Sequence, residues 1–216
     1  MKNNYFRGQE EKMRRILSIS FAIIMIFTSI FAFSSCATEP PLLEDVKGEF
    51  TALIEASAEI NEFLFGAGLP VYDRDDEANA ELYANLASQY SKYEYVSPES
   101  KYITIEDMKK AAEKVYTAEY LSSVYMMAFD GYADEIAGVT VARYLDIDGW
   151  LFSSIYYEPL IEGTRTFDFD TMKMVQPSNG EYVNVEIESE LDGEKLTMTL
   201  SFSKTDNGWR LDTPTY

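Results

Sequence analysis

The 216-residue chain sets 37 acidic residues against 18 basic ones, a formal charge of −19 at neutral pH, with 46% of its residues hydrophobic. Neutralising phosphates takes clustered Lys and Arg, so an acidic excess of this size excludes nucleic acid as a partner. The sequence has no histidine and one cysteine, which excludes Ser-His-Asp and Cys-His nucleophiles, histidine-ligated zinc or iron, and any disulfide within the chain.

Arg14 and Arg15 precede an apolar run of 18 residues, Ile16 to Phe33, and Ser34, Ser35 and Cys36 follow it. Positive charge, apolar stretch and small residues, in that order, are the parts of an export signal. Phe33-Ser34-Ser35-Cys36 resembles the lipobox of bacterial lipoprotein signal peptides, with Phe33 where Leu is usual. The resemblance implies cleavage ahead of Cys36, a lipid on its sulfur, and a mature chain held on the extracytoplasmic face of the cell membrane. Retention of the run as an uncleaved anchor stays open, because its length approaches the roughly 20 residues that span a bilayer. Glu10 and Glu11 interrupt the basic start, and initiation at Met13 would give a leader of ordinary length. Loss of the leader removes more basic than acidic residues and leaves a still more acidic mature surface. The expected division is a signal over 1–35, lipidated Cys36 with a tether over 36–43, and one domain over 44–216.

Pro40 and Pro41 keep the tether out of a helix. From Glu44 onward Val46, Phe50, Leu53, Ile54, Ser57, Ile60, Phe63 and Leu64 recur at steps of three and four, which predicts a long helix. Gly66, Gly68 and Pro70 end it. A weaker helix is expected over Glu77–Ser88 and a short strand over Tyr93–Val96. Thr104 and Asp107 have capping-box spacing and open a helix through Val115. Thr117 restarts one that carries Leu121, Val124 and Tyr125 as far as Gly131.

Beyond Val141 the apolar period falls from about 3.6 to 2, the repeat of a strand. Expected strands cover Ala142–Ile147, Trp150–Tyr157, Thr166–Val175, Glu181–Glu190, Lys195–Ser203 and Trp209–Leu211. Asp148-Gly149, Asn179-Gly180, Asp192-Gly193 and Asn207-Gly208 mark tight turns that pair neighbours antiparallel. Val183, Val185 and Ile187 share one face of their strand, opposite Asn184, Glu186 and Glu188, so one face is wet and the other needs a cover of helices. The fold class is therefore α+β, with N-terminal helices packed on a twisted antiparallel meander.

The ending Phe202 to Asp212, with Asn207-Gly208-Trp209, resembles small bacterial lipoproteins of cystatin-like or nuclear-transport-factor-2-like fold. Residues 93–212, through Tyr93-Glu94-Tyr95-Val96, the Thr104 cap, Val115 to Tyr120 and the Asp148-Gly149 hairpin, are similar to the bacterial DL-endopeptidase inhibitor family. That similarity implies a non-catalytic binding module that regulates cell-wall hydrolases, with an envelope protein as partner besides the membrane itself.

Catalytic, metal and cofactor signals are absent from the sequence, so neither an enzyme nor a cofactor is expected. Asp73, Asp75 and Asp76, or Asp146 and Asp148, offer oxygens to calcium but lack the ligand spacing of a calcium loop. Asp168 and Asp170 fall on one face of a strand, the geometry of a glycosidase pair, with Phe167 and Phe169 on the other. Sixteen tyrosines are the remaining excess. Tyr116, Tyr120 and Tyr125 on the last helices, with Tyr144 and Tyr156 on the first strands, are candidates to line a pocket between helices and sheet. The alternatives are that these rings fill the core, or that a tyrosine beside a desolvated carboxylate polarises a carbonyl. A protein that holds a small molecule is the competing function.

Overall fold

The computed structural model describes residues 38–84, 86–134 and 139–216. The expected export signal and Cys36 lie outside these residues. Residues 40–216 form one compact unit, and its organising element is helix α1 (Leu43–Phe65), whose first turn carries Glu44 and Asp45 at the positive end of the helix dipole. Its apolar stripe is buried as the spacing predicts, from Val46 to Phe65. Among the described residues no helix is long and apolar enough to cross a membrane.

The last turn of α1 has no basic residue of its own. Gly66 N–H bonds to the carbonyls of Asn61 (3.0 Å) and Glu62 (3.1 Å), and Gly68 N–H also reaches Glu62 O (3.1 Å). Arg143, distant in sequence and buried, donates to Leu64 O (2.7 Å) and Gly66 O (2.6 Å). Its guanidinium lies 4.0 Å from the centre of the Tyr157 ring. Gly68 has φ of 95°, and a Cβ there would stand 2.9 Å from the guanidinium. Glycine is the residue that permits both the turn and the approach.

The helix expected over Glu77–Ser88 is corrected to three short pieces: a 3₁₀ turn at Glu77–Asn79, α2 (Ala80–Tyr83) and a second 3₁₀ turn at Ser88–Tyr90. None of their residues is buried, and without an apolar face to pack a short helix does not extend. Strand β1 (Tyr93–Tyr95) follows. Then come α3 (Ile105–Ala112), where Thr104 Oγ1 accepts from Asp107 N–H (3.1 Å), and α4 (Ala118–Tyr125), where Thr117 Oγ1 accepts from Tyr120 N–H (3.1 Å). A π-turn at Met126–Asp130 ends on Gly131, whose φ is 76°.

The sheet half departs from the single meander. Strands β2 (Tyr132–Asp134) and β3 (Val139–Val141) form an antiparallel hairpin that the sequence reading omitted. Strands β4 (Tyr144–Ile147) and β5 (Trp150–Ser154) pair through the Asp148-Gly149 turn, with φ of 51° and 84° at its two residues. They belong to a separate three-stranded sheet, in which β5 pairs β1 in the register Tyr93↔Ser154 and Tyr95↔Phe152. The true meander is β6 (Thr166–Val175), β7 (Tyr182–Leu191), β8 (Glu194–Thr205) and β9 (Gly208–Leu211), antiparallel and in chain order. The division falls in segment 155–165, which has no regular structure and carries Pro159 and Gly163; proline there removes a ladder donor.

Val183, Val185 and Ile187 of β7 and Leu200 and Phe202 of β8 are buried together under α1. Phe50 stacks on Phe202 at 3.9 Å between ring centres, and Trp209 meets Phe50 edge-on at 5.5 Å. Leu196, on the same face of β8 but near its start, is 55% exposed because the hairpin runs past the end of the helical cover. The architecture is α+β, as the change of period implies.

Candidate functional site

One side of α1 presents Ile54, Ser57, Ala58 and Asn61, spaced i, i+3, i+4 and i+7, toward a cleft. The opposing walls are the 160–166 segment, the start of β6 and the stretch that follows β9. The cleft encloses about 490 Å³, within the range of small-molecule sites. Ile54, Leu160, Ile161, Phe167, Phe169 and Leu191 are among its apolar lining. The rings of Phe167 and Phe169 lie 6.4 Å apart. Loop and helix are joined by Leu160 N–H bonding to Phe65 O at 2.8 Å, and Tyr216 packs on Phe65 at 4.6 Å between ring centres.

The floor is polar and closed. Ser57 and Asn61 are 1% and 4% exposed, and Thr215 is 3% exposed. Ser57 Oγ lies 2.6 Å from Thr215 Oγ1 and donates to Ile54 O (2.6 Å). Asn61 Nδ2 donates to Thr215 Oγ1 (2.8 Å), and Tyr116 OH donates to Asn61 Oδ1 (2.8 Å). Burial pushes the Tyr116 phenol up to about 12, so at neutral pH it is a donor and not a base. Buried polar groups satisfied in this way fix a unique packing. Ser57 has no basic group beside it in this network, so its hydroxyl is not activated as a nucleophile.

The lining also carries Glu55, Glu62 and Glu162, all exposed, while its cation is Arg165. Glu62 Oε1 accepts from Ala67 N–H (3.1 Å) and so serves the end of α1. Arg165 is half-buried and donates from Nη1 to Ser189 Oγ (3.0 Å).

The sequence-predicted residues fall elsewhere. Tyr116 is buried one hydrogen bond behind the floor, and Tyr120 stacks on it at 4.6 Å. Burial, aided by Tyr116 and Tyr216, raises the Tyr120 phenol. Tyr125 donates to Lys109 O (3.2 Å), its phenol raised by burial and then by Glu113. Tyr144 is fully buried, donating to Phe63 O (2.9 Å) and accepting from Leu69 N–H (3.1 Å). Tyr156 is 62% exposed beneath the Lys92 ammonium. The structure thus joins Tyr116 and Tyr120, leaves Tyr125, Tyr144 and Tyr156 apart, and lines the cleft with none of the five.

Four of the acidic candidates, Asp73, Asp76, Asp146 and Asp168, serve the backbone. Asp73 Oδ1 accepts from Asp75 N–H (2.8 Å) and Asp76 Oδ1 from Ala78 N–H (2.9 Å). Asp146 Oδ2 accepts from Ile105 N–H (3.3 Å). Asp168 Oδ1 accepts from Asp170 N–H (3.1 Å) at the bulge between Asp168 and Lys173, and Asp170 is fully exposed, 3.6 Å from the Lys47 ammonium. Among the described residues no three acidic or thiol groups converge on a point that could hold a metal ion.

Ser57, Asn61, Thr215 and Arg165 are the residues sequence reasoning missed. A signal existed for two of them: Ser57 and Asn61 are polar residues four apart on a helix whose neighbours on that side are apolar. No protein-family model matches the chain, and no curated protein matches it.

Proposed function

We propose that the protein is a non-catalytic binding module, exported and held by lipid on Cys36 at the outer face of the cell membrane, whose cleft takes a small, largely apolar ligand. The export and anchoring parts rest on the order Arg14-Arg15, apolar run, Ser34-Ser35-Cys36. The binding part rests on one observation, a cleft of about 490 Å³ with apolar walls and a floor whose polar groups are already bonded to one another. Such a floor supports shape and burial; it supplies no group poised for proton transfer or attack.

The test uses residues 37–216 and the uncharged probe Nile red. Saturable fluorescence enhancement at one probe per chain is expected, and Ala58→Trp, placed on the exposed lip, should weaken it at least tenfold with an unchanged unfolding midpoint. Equal binding by the variant would remove the cleft from consideration. A second reading, an envelope protein as partner in the manner of a wall-hydrolase inhibitor, is supported by Ile155, Tyr156 and Leu160, which are 47%, 62% and 66% exposed on one irregular segment. Capture of a hydrolase whose activity falls on adding the domain supports it; loss of that effect in Tyr156→Ala locates it.

A further inference from the structure

Resting on the cleft reading above, we infer that the ligand is an apolar monocarboxylic acid, its hydrocarbon body in the cleft and its carboxylate on Arg165. Arg165, Phe167 and Phe169 lie two apart on the chain entering β6, and all three line the cleft, as alternate residues on one face of a strand do. Arg165 Nη1 donates to Ser189 Oγ at 3.0 Å. Ser189 stands opposite Phe167 in the β6–β7 register, is 4% exposed, and shares the inner face of β7 with Val183, Val185 and Ile187. The guanidinium is therefore fixed on the helix side of the sheet, at the cleft.

That charge is short of partners. Arg74, Arg143 and Arg210 each donate to main-chain carbonyls, and the first two also lie over tyrosine rings. Arg165 has neither support, and among the described residues no carboxylate stands within ion-pair distance of it. The exposed pairs lie elsewhere, at Lys47–Asp170, Lys101–Glu59, Lys110–Glu106 and Lys173–Glu186. Its one acceptor is a neutral hydroxyl, which itself donates to Leu196 O (3.0 Å). Its Nε is buried with no acceptor, and its Nη2 carries no hydrogen bond. A planar guanidinium held at one corner and drawn partly out of water is suited to a carboxylate, which supplies both the missing charge and two acceptor oxygens.

The other surfaces set the rest of the ligand. Ser57, Asn61 and Thr215 on the floor are bonded to one another, so amides in the ligand body would go unpaired there at a cost that hydrocarbon escapes. Glu55, Glu62 and Glu162 also line the cleft. They are exposed, so water and salt screen them from a carboxylate held on the half-buried guanidinium. Their repulsion nevertheless grows with the charge of the ligand. One guanidinium balances the single charge of a carboxylate, whereas a phosphate monoester carries about −1.5 to −2 and would stay net negative beside them.

Radiolabelled octanoate is the probe, measured by equilibrium dialysis against the full chain in phosphatidylcholine vesicles, with empty vesicles subtracted. Octanamide and octyl phosphate are compared with it. Octanoate should bind about tenfold or more tightly than either, and each methylene from hexanoate to octanoate should strengthen binding about threefold to fourfold. Arg165→Met should abolish the preference for octanoate over octanamide, and Arg165→Lys, which keeps the charge without the fork, should retain part of it. Survival of the full preference in both variants overturns Arg165 as the anchor. Equal affinity for octanoate and octanamide, with both still sensitive to Ala58→Trp, overturns carboxylate recognition and leaves the cleft reading intact. Nile red binding without octanoate binding overturns the apolar acid. Absence of both overturns the cleft reading as well.

Discussion

Replacing Arg143 by Met tests how α1 is terminated. The side chain is 3% exposed and supplies two charge-assisted hydrogen bonds, to Leu64 O and Gly66 O, at a helix end that has no basic residue of its own. Each such bond contributes on the order of 1.5–3 kcal/mol, and stacking over Tyr157 adds about 0.5–2 kcal/mol. Two effects reduce the total. Leu64 O keeps the Tyr157 hydroxyl at 3.1 Å, so Gly66 O alone loses its side-chain partner. Met also removes the cost of holding a guanidinium out of water. The expected net loss is about 2–4 kcal/mol, equivalent to a fall in Tm of about 5–15 °C for a domain of this size. Arg143→Lys keeps the charge but not the fork, and should lie between Met and the parent. Thermal and urea unfolding of residues 37–216, followed by helical circular dichroism, measures both. A methionine variant within about 1 °C of the parent would show that desolvation cancels the bonds and that the arginine does not stabilise the helix end.

Tyr116→Phe leaves the buried Asn61 Oδ1 without its phenol donor and should cost about 1–3 kcal/mol. Burial raises this phenol from 10.0 to about 12, so its contribution to stability is complete below pH 10 and is lost as pH rises toward 12. The Phe variant should show a shallower fall across that window in urea midpoints taken at successive pH values. Phe50→Ala removes a ring stacked on Phe202 and edge-packed by Trp209; a loss of about 3–5 kcal/mol is expected, and less than 1 kcal/mol would mean the core closes over the gap. Cys36→Ala should abolish metabolic lipid labelling and either release the protein from the membrane fraction or leave the uncleaved precursor; retained labelling would refute the anchor.

The legible parts of the fold are those with local codes. The stripe from Val46 to Leu64, the caps at Thr104 and Thr117 and the turns at Asp148-Gly149 and Asp192-Gly193 each lie within a few residues of what they determine. Partition of the strands into sheets has no such code, because a period of 2 states which residues share a face and not which strand lies alongside. Thus β5 pairs β1, more than fifty residues earlier, in place of β6. The weak helix near Glu77 failed because propensity without a buried face does not extend a helix. The cleft was hidden for a related reason: its floor joins residues 154 and 158 positions apart, and its side wall is an irregular segment. Tyrosine count pointed toward the right neighbourhood only at Tyr116. Tyr125 and Tyr144 instead donate to backbone carbonyls of α3 and α1, and Tyr156 is exposed.

Thr215 completes the floor that Ser57 and Asn61 begin, which makes order of synthesis matter. Helix α1 emerges well before the strands that cover its apolar side and before residue 215. At about 5–20 residues per second, the helix waits on the order of ten seconds or more with Phe50, Ile54 and Phe63 uncovered. Contacts this distant in sequence slow the final closure further. Until the segment after β9 is in place the chain exposes an aromatic helix face and an unroofed sheet. The vulnerability of this protein to aggregation is therefore concentrated in an interval before it has any cleft at all.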